Sequence, residues 1–260
     1  MASELPLQGA TAVVTGALGR LGPVWVRALA SAGATVVGID VQSAGSEELT
    51  EALGDRFRLE QASVTDRAAL DAVVSRVGAP EVLVNSAGID QPPGAGGLTR
   101  RVEDIPLEEF TATVETNLAG VFACTQVFGG AMAQARRGSI VNVGSLYASI
   151  APVPGFYDHL DVDPPFLKPP AYGASKAGVV NLTRYFARLW GPQGVRVNAL
   201  SPGGVSGGQD SVFQGKYTAR VPLGRMAEPD DLTGPLLFLA TDASRYVTGQ
   251  ELLVDGGFTA

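Results

Sequence analysis

The chain reads as an α/β protein built on a doubly wound parallel sheet flanked by helices, and three observations predict this. Short apolar, β-branched runs alternate with segments whose apolar residues recur at helical spacing. The first run, Thr11–Thr15, stops at a glycine-rich turn, Gly16-Ala17-Leu18-Gly19-Arg20-Leu21-Gly22, with a helical segment directly behind it. At 260 residues and 45% hydrophobic content the chain suffices for one large core, so a single domain over 1–260 is expected.

Composition narrows the function classes. Net charge is −7 and no run of Lys or Arg stands out, so no nucleic-acid partner is expected. The start, residues 1–9, lacks a basic segment followed by an apolar core, and no later stretch reads as long and apolar enough to span a bilayer. A soluble, cytoplasmic protein with no membrane partner is the expectation. Cys124 is the only cysteine, which leaves no intrachain disulfide and no cysteine metal cluster; a small buried apolar residue on a helix is its plain reading. His159 is the sole histidine and has no partner at metal-ligand spacing, so no metal is expected.

The elements follow in order. Thr11–Thr15 suits a buried parallel strand, and the segment from Leu21 to Ala32 a helix that stops at Gly33. Strand, glycine turn and helix N-terminus together form an anion site, because unpaired backbone N–H groups and the helix dipole face the turn. The anion expected there is a pyrophosphate, which makes the fold Rossmann-type and Gly16, Gly19, Arg20 and Leu21 candidate cofactor contacts. The second strand, Ala34 to Ile39, runs into Asp40. At that position a carboxylate accepts hydrogen bonds from both adenosine ribose hydroxyls and repels a 2′-phosphate, which favours NAD over NADP. The alternative is a strand-end Asp capping the next turn, and Arg20 is a cation that an added phosphate could use.

A third strand, Phe57–Gln61, precedes Asp66, placed to cap a helix over Arg67–Val77. The fourth, Glu81 to Asn85, delivers Asn85-Ser86-Ala87-Gly88, small residues that let backbone approach a cofactor. Leu107 to Met132 reads as one long helix containing Asn117, an uncomfortable interior residue for which a functional or water-binding role is expected. The strand Gly138–Val143 brings Ser145 to the same sheet edge, where its hydroxyl facing Tyr172 could hold a substrate oxygen. If Tyr172-Gly173-Ala174-Ser175-Lys176 opens a helix, Tyr172 and Lys176 share one face. A tyrosine of pKa ~10 needs nearby cations to act as a base near neutrality, a change of about 4 kcal/mol. Lys176 supplies one and an oxidised nicotinamide another; alone, such a pair also occurs on solvated helix faces.

With these residues placed, the chain resembles the short-chain dehydrogenase/reductase family over nearly its whole length. The resemblance rests on the Thr15–Gly22 loop, Asn85 to Gly88, Asn117, Ser145, Tyr172 to Lys176, Arg196-Val197-Asn198, Ser201-Pro202-Gly203, Val247 to Gln250 and Val254 to Gly257. It implies that Tyr172 is the general acid/base, that Ser145 orients and polarises the substrate C–O group, and that Lys176 lowers the tyrosine pKa and binds the nicotinamide ribose. Asn117 is implied to hold a water linking Lys176 to solvent. Asn85, Ala87, Gly88, Pro202, Gly203 and Val205 are implied cofactor neighbours, Ser63 and Val64 adenine neighbours, and a homotetramer the assembly.

Four departures stand out. Gly16, Gly19 and Gly22 with Arg20 between them look like the longer, epimerase-type branch, although the chain length and the ending favour the shorter one. Ser63 stands where relatives commonly have Asp. Ser145 and Tyr172 lie about twice as far apart as is usual in the family, which marks 146–170 as an insertion. Finally, Gly204 to Gly207 lacks the threonine that often meets the cofactor.

The insertion holds Tyr147, Phe156, Tyr157, Asp158, His159, Asp161, Asp163 and Lys168 with six prolines. Tethered at Ser145 and Tyr172, it must lie beside the reacting carbon, and aromatic faces mixed with carboxylates suit a molecule with several hydroxyls. A surface excursion or a subunit contact is the alternative. Ser145, Tyr147, Tyr157, His159 and Gln209 are the candidate substrate contacts. The loop from Asp90 to Arg101 and a mobile lid over 204–220 complete the pocket. Arg100, Arg101 and Lys168 either meet a substrate carboxylate or are solvated loop charges.

The expected protein is an NAD-dependent oxidoreductase that moves hydride between nicotinamide and a secondary alcohol or carbonyl of a small-molecule sugar, polyol or sugar acid. A 3-oxoacyl-thioester (acyl-carrier-protein) reductase is the alternative, with an epimerase and a non-catalytic nucleotide sensor behind it.

Overall fold

A computed structural model describes residues 5–91 and 101–260; Arg100 and most of the loop after Asp90 lie outside the described residues. Seven parallel strands form one sheet in the order β3-β2-β1-β4-β5-β6-β7. They are β1 Thr11–Thr15, β2 Thr35–Asp40, β3 Phe57–Gln61, β4 Val82–Asn85, β5 Gly138–Val143, β6 Val195–Pro202 and β7 Glu251–Val254. The order reverses between β1 and β4, which are paired with Thr15 opposite Asn85. A crevice at such a reversal, beyond the carboxyl ends of the strands, is where open α/β sheets take ligands.

Alternation along each strand divides the core in two. Ala12, Val14, Val36 and Val84 face the helices Gly22–Ser31 and Thr233–Ala240, packing on Trp25, Leu29 and Leu236. Val13, Val37, Leu83 and Ile140 face the other way, onto Leu70, Phe128, Met132 and Phe186. The helix Arg67–Val77 is capped by Asp66, which accepts from the Ala69 N–H at 3.0 Å. Cys124 is buried in the second layer, and burial pushes its thiol up to about 12.

The long helix runs over Leu107–Ala135, three residues beyond the sequence reading, and widens to π-helical turns at Glu115–Ala119 and Thr125–Gly129. By length and composition alone this helix is long and apolar enough to cross a bilayer, which corrects the expectation that no stretch is. Its Val121, Cys124, Val127, Phe128 and Met132 are buried within the protein, against the sheet and its neighbours.

Candidate active site

The first wall of the site is the turn after β1. Gly16 has φ 65°, and a Cβ there would stand 2.7 Å from the Ala87 Cα, so the turn and the segment after β4 touch through backbone. A Cβ on Gly22 would fall 2.2 Å from the Gly16 carbonyl, which leaves only glycine able to close the turn onto the helix. Thr15 Oγ1 accepts from the Ser86 and Ala87 N–H groups at 3.1 and 3.2 Å, and the Trp25 indole donates to Ser86 at 2.9 Å. The helix Gly22–Ser31 has no acidic residue in its first turn and no side-chain cap. An N-terminus so open and cradled by backbone fits the pyrophosphate of a dinucleotide.

Asp40 takes the turn-capping role that the sequence offered as its alternative, and it also faces the cavity. Its Oδ2 accepts from the Leu18 N–H at 3.0 Å and its Oδ1 from the Gln42 N–H at 3.1 Å, so it caps its turn while lining the cavity. Arg20 is committed elsewhere. Its Nη2 donates to the carbonyls of Val205 (2.7 Å) and Ser206 (2.9 Å), joining the glycine turn to the segment after β6.

At the opposite end, the helix Pro170–Trp190 carries Tyr172 and Lys176 on one face. Lys176 Nζ donates to the Val143 carbonyl at 2.7 Å and lies 5.8 Å from the Tyr172 ring centroid. Ser145 stands beside the Tyr172 phenol in the cavity wall, and its Oγ accepts from the Tyr147 N–H at 3.2 Å. Burial pushes the Tyr172 phenol above its ordinary value, the charge of Asp90 adds to this, and Ser145 opposes it. Burial draws the Lys176 ammonium down to about 8 against the pull of Asp90.

The insertion folds down rather than out. Phe156, Tyr157 and Phe166 are buried with Leu146, Tyr217, Val221 and Met226 in a third, smaller core. The stretch expected to be a lid contains the helix Ser211–Thr218, capped by Asp210 through the Val212 and Phe213 N–H groups and anchored by buried Tyr217. Phe156 packs on Phe213 and Tyr217, each with ring centroids 5.8 Å away, and Tyr217 stacks on Phe258 at 4.9 Å. Asp158 pairs with Lys216. Tyr147 and Tyr157 wall the cavity beside Tyr172, the Tyr147 ring meeting that of Tyr172 edge-on at 6.4 Å.

One cavity of about 1220 Å³ runs between the two ends. Gly16, Gly19, Arg20, Leu21, Asp40, Ser63 and Val64 line its cofactor half with Ala87 and Gly88. Ser145, Tyr147, Tyr157, Tyr172, Lys176, Pro202, Gly203, Val205 and Gln209 line the rest. Three predicted site residues lie outside this lining. Asn85 is buried in a polar ladder, donating to Thr125 Oγ1 at 2.9 Å and Asn142 Oδ1 at 2.8 Å, while Asn142 donates to Thr183 at 2.9 Å. Asn117, in the first π turn, spends its amide on the backbone of Ile89, accepting at 2.6 Å and donating at 2.9 Å. His159 Nε2 sits 2.9 Å from Asp210 Oδ1, in a contact between the insertion and the helix cap.

Two side chains of the substrate half were read otherwise or missed. Lys168 is not a solvated loop charge: its side chain is buried, lines the cavity and pairs with Asp90. Asp90 was not singled out; its place two residues after Gly88, in the segment that follows β4, was the available signal. Gln209 shapes its own loop, donating to the Val205 carbonyl and accepting from the Gly207 N–H, both at 2.9 Å.

Comparison with known proteins finds relatives over nearly the whole chain. Residues 16–259 match the family model described as Enoyl-(Acyl carrier protein) reductase. The chain is 35% identical to D-threitol dehydrogenase of Mycolicibacterium smegmatis, over 98% of this chain and 95% of the relative. It is 34% identical to a 3-oxoacyl-[acyl-carrier-protein] reductase of Thermotoga maritima, over 96% and 98%. Among solved structures it resembles a short chain dehydrogenase from Leptospira borgpetersenii with bound NAD+, at TM-score 0.86 and 33% identity, covering 98% of this chain and 94% of that one.

Proposed function

The chain belongs to the short-chain dehydrogenase/reductase family and is an oxidoreductase, and from that premise we propose that it is an NAD-dependent dehydrogenase of a secondary alcohol on a sugar, polyol or sugar acid. The observation that carries this reading is the meeting of Ser145, Tyr172 and Lys176 at one end of a cavity whose other end is a glycine turn held by Asp40.

When bound, the nicotinamide supplies the hydride acceptor and, in its oxidised form, a positive charge. The chain's own residues do the rest. The substrate oxygen lies between the Ser145 hydroxyl and the Tyr172 phenol, which line the same end of the cavity. As the C–O group becomes a carbonyl its proton passes to Tyr172 Oη, which accepts it as the phenolate and so becomes the phenol, and in reduction the phenol returns that proton. Ser145 donates to the oxygen while negative charge is on it. Lys176, fixed by the Val143 carbonyl, keeps two N–H groups for the ribose and the phenol side of the cavity.

NAD preference is supported by Asp40, which faces the cavity at the end of β2, and by the engagement of Arg20 with Val205 and Ser206. The relative that acts on D-threitol supports a polyol substrate. Family resemblance further supports a cytoplasmic homotetramer, and Tyr185, Leu189 and Leu253 are exposed apolar side chains that such an assembly could cover.

A second reading, reduction of a 3-oxoacyl thioester, is favoured by the Thermotoga maritima relative. The test is the initial rate of NADH appearance when enzyme and NAD meet a panel of aldoses, polyols and sugar acids. A rate with one stereochemical subset and none with NADP is expected. Silence across the panel together with NADPH oxidation by a 3-oxoacyl thioester would replace the first reading with the second.

A further inference from the structure

Directly above the Tyr172 ring, two opposite charges meet inside the substrate half of the cavity. Lys168 comes from the insertion and Asp90 from the segment after β4, 78 residues apart in sequence, and Lys168 Nζ pairs with Asp90 Oδ1. The lysine side chain is only 6% exposed, whereas that of Asp90 is 49% exposed and lines the cavity. Lys168 Nζ also stands 5.2 Å from the Tyr172 ring centroid. Among the described residues Asp90 Oδ2 has no hydrogen-bond partner. The pair therefore presents an acceptor and further N–H donors to whatever lies over Tyr172.

Charge decides what can use them. A hydroxyl can donate to Asp90 and accept from Lys168 without disturbing the pair. A carboxylate brought to Lys168 would meet the Asp90 carboxylate, with Asp161 and Asp210 also on this half of the lining. Like charges forced together in a partly buried site reject a ligand more effectively than missing contacts do.

We propose that Asp90 is a specificity residue which, by occupying Lys168, restricts the site to neutral polyhydroxylated substrates and excludes their carboxylate counterparts. This rests on the dehydrogenase reading above and deepens it, since it separates sugars and polyols from sugar acids.

The test uses matched pairs, D-glucitol with D-gluconate and galactitol with D-galactonate, at saturating NAD. In Asp90→Asn the freed Lys168 should raise the kcat/KM ratio of aldonate to alditol at least about tenfold over wild type. In the double variant Asp90→Asn, Lys168→Gln the ratio should stay within about threefold of wild type, because the cation is gone. A purely structural pair would make the two variants behave alike, and that result, or an unmoved ratio in Asp90→Asn, overturns the proposal. A wild type that prefers the aldonates overturns it too while leaving the dehydrogenase reading intact. Absence of turnover with every pair sinks that reading instead. Calorimetric titration of the same ligands into each enzyme with NADH then applies the same criterion, a Lys168-dependent gain in aldonate binding on loss of Asp90 supporting the proposal and no gain overturning it.

Discussion

The carboxylate of Asp40 accepts a hydrogen bond from the Leu18 amide at 3.0 Å, so the end of β2 and the glycine turn are tied together at the site where an adenosine ribose would lie. The same side chain thus sets the shape of the phosphate turn and the charge beside it. Asp40→Ser should raise the KM for NAD by about 10- to 100-fold, the worth of one or two charge-assisted hydrogen bonds. It should also narrow the gap between NAD and NADP, because the repelling charge is removed. Steady-state kinetics with both nucleotides check this.

Removing the proton carrier should stop turnover without emptying the site. Tyr172→Phe is expected to lower kcat by about 10²- to 10⁴-fold, the usual contribution of a positioned acid/base, while NADH binding followed by fluorescence stays within a few-fold of wild type. Ser145→Ala should lose a comparable factor in kcat.

Burial of Lys176 has a pH signature. Its folded pKa, about 8, lies below its ordinary 10.5, so the unfolded chain holds more protons between those values. Stability therefore rises with pH in that window as the charge of the buried ammonium is lost, and the desolvation cost is fully present below pH 8. Lys176→Met should raise the Tm relative to wild type at pH 7 and abolish turnover. The Tm difference should shrink as pH rises from 8 to 10, by an amount equivalent to roughly 3 kcal/mol at most. Calorimetry of both proteins across this range reads it directly.

Arg20 should matter for the substrate side more than for the choice of nucleotide. With its guanidinium on the Val205 and Ser206 carbonyls, Arg20→Ala frees the segment after β6 from the glycine turn. The expected result is a severalfold rise in the substrate KM with an unchanged NAD/NADP ratio. A selective loss of NADP use would mean that the arginine serves a phosphate after all.

The sheet was legible because its strands are short apolar runs that stop at glycines or polar residues, as with β1 at Gly16 and β2 at Asp40. The spacing of Tyr172 and Lys176 puts them on one face only if a helix opens there, as Pro170–Trp190 does, and it was the rest of the chain that set this pair apart from one on a solvated face. What spacing leaves open is which polar residue at a strand end points into the crevice. Asn85 ends one apolar strand and Ser145 follows another, yet the first is buried in a ladder and the second lines the cavity with Tyr172. Asn117 was noticed as out of place in a helix, but its partner, the Ile89 backbone, is 28 residues away and local pattern cannot name it. The helix Ser211–Thr218 was hidden by its glycine and polar residues, because its stability comes from the Asp210 cap and from Tyr217 packing on the insertion.

That aromatic packing bears on how the protein could be re-engineered. Phe156 belongs to the insertion, Phe213 and Tyr217 to the helix after β6, and Phe258 to the C-terminal tail, yet the four rings form one contact group. Grafting the insertion alone onto a relative would strand Phe156 without its partners, and importing a foreign loop here would uncover Tyr217. The smallest transplantable unit is all three stretches together, so altered substrate preference in this scaffold is a matter of exchanging a composite roof and not a single loop.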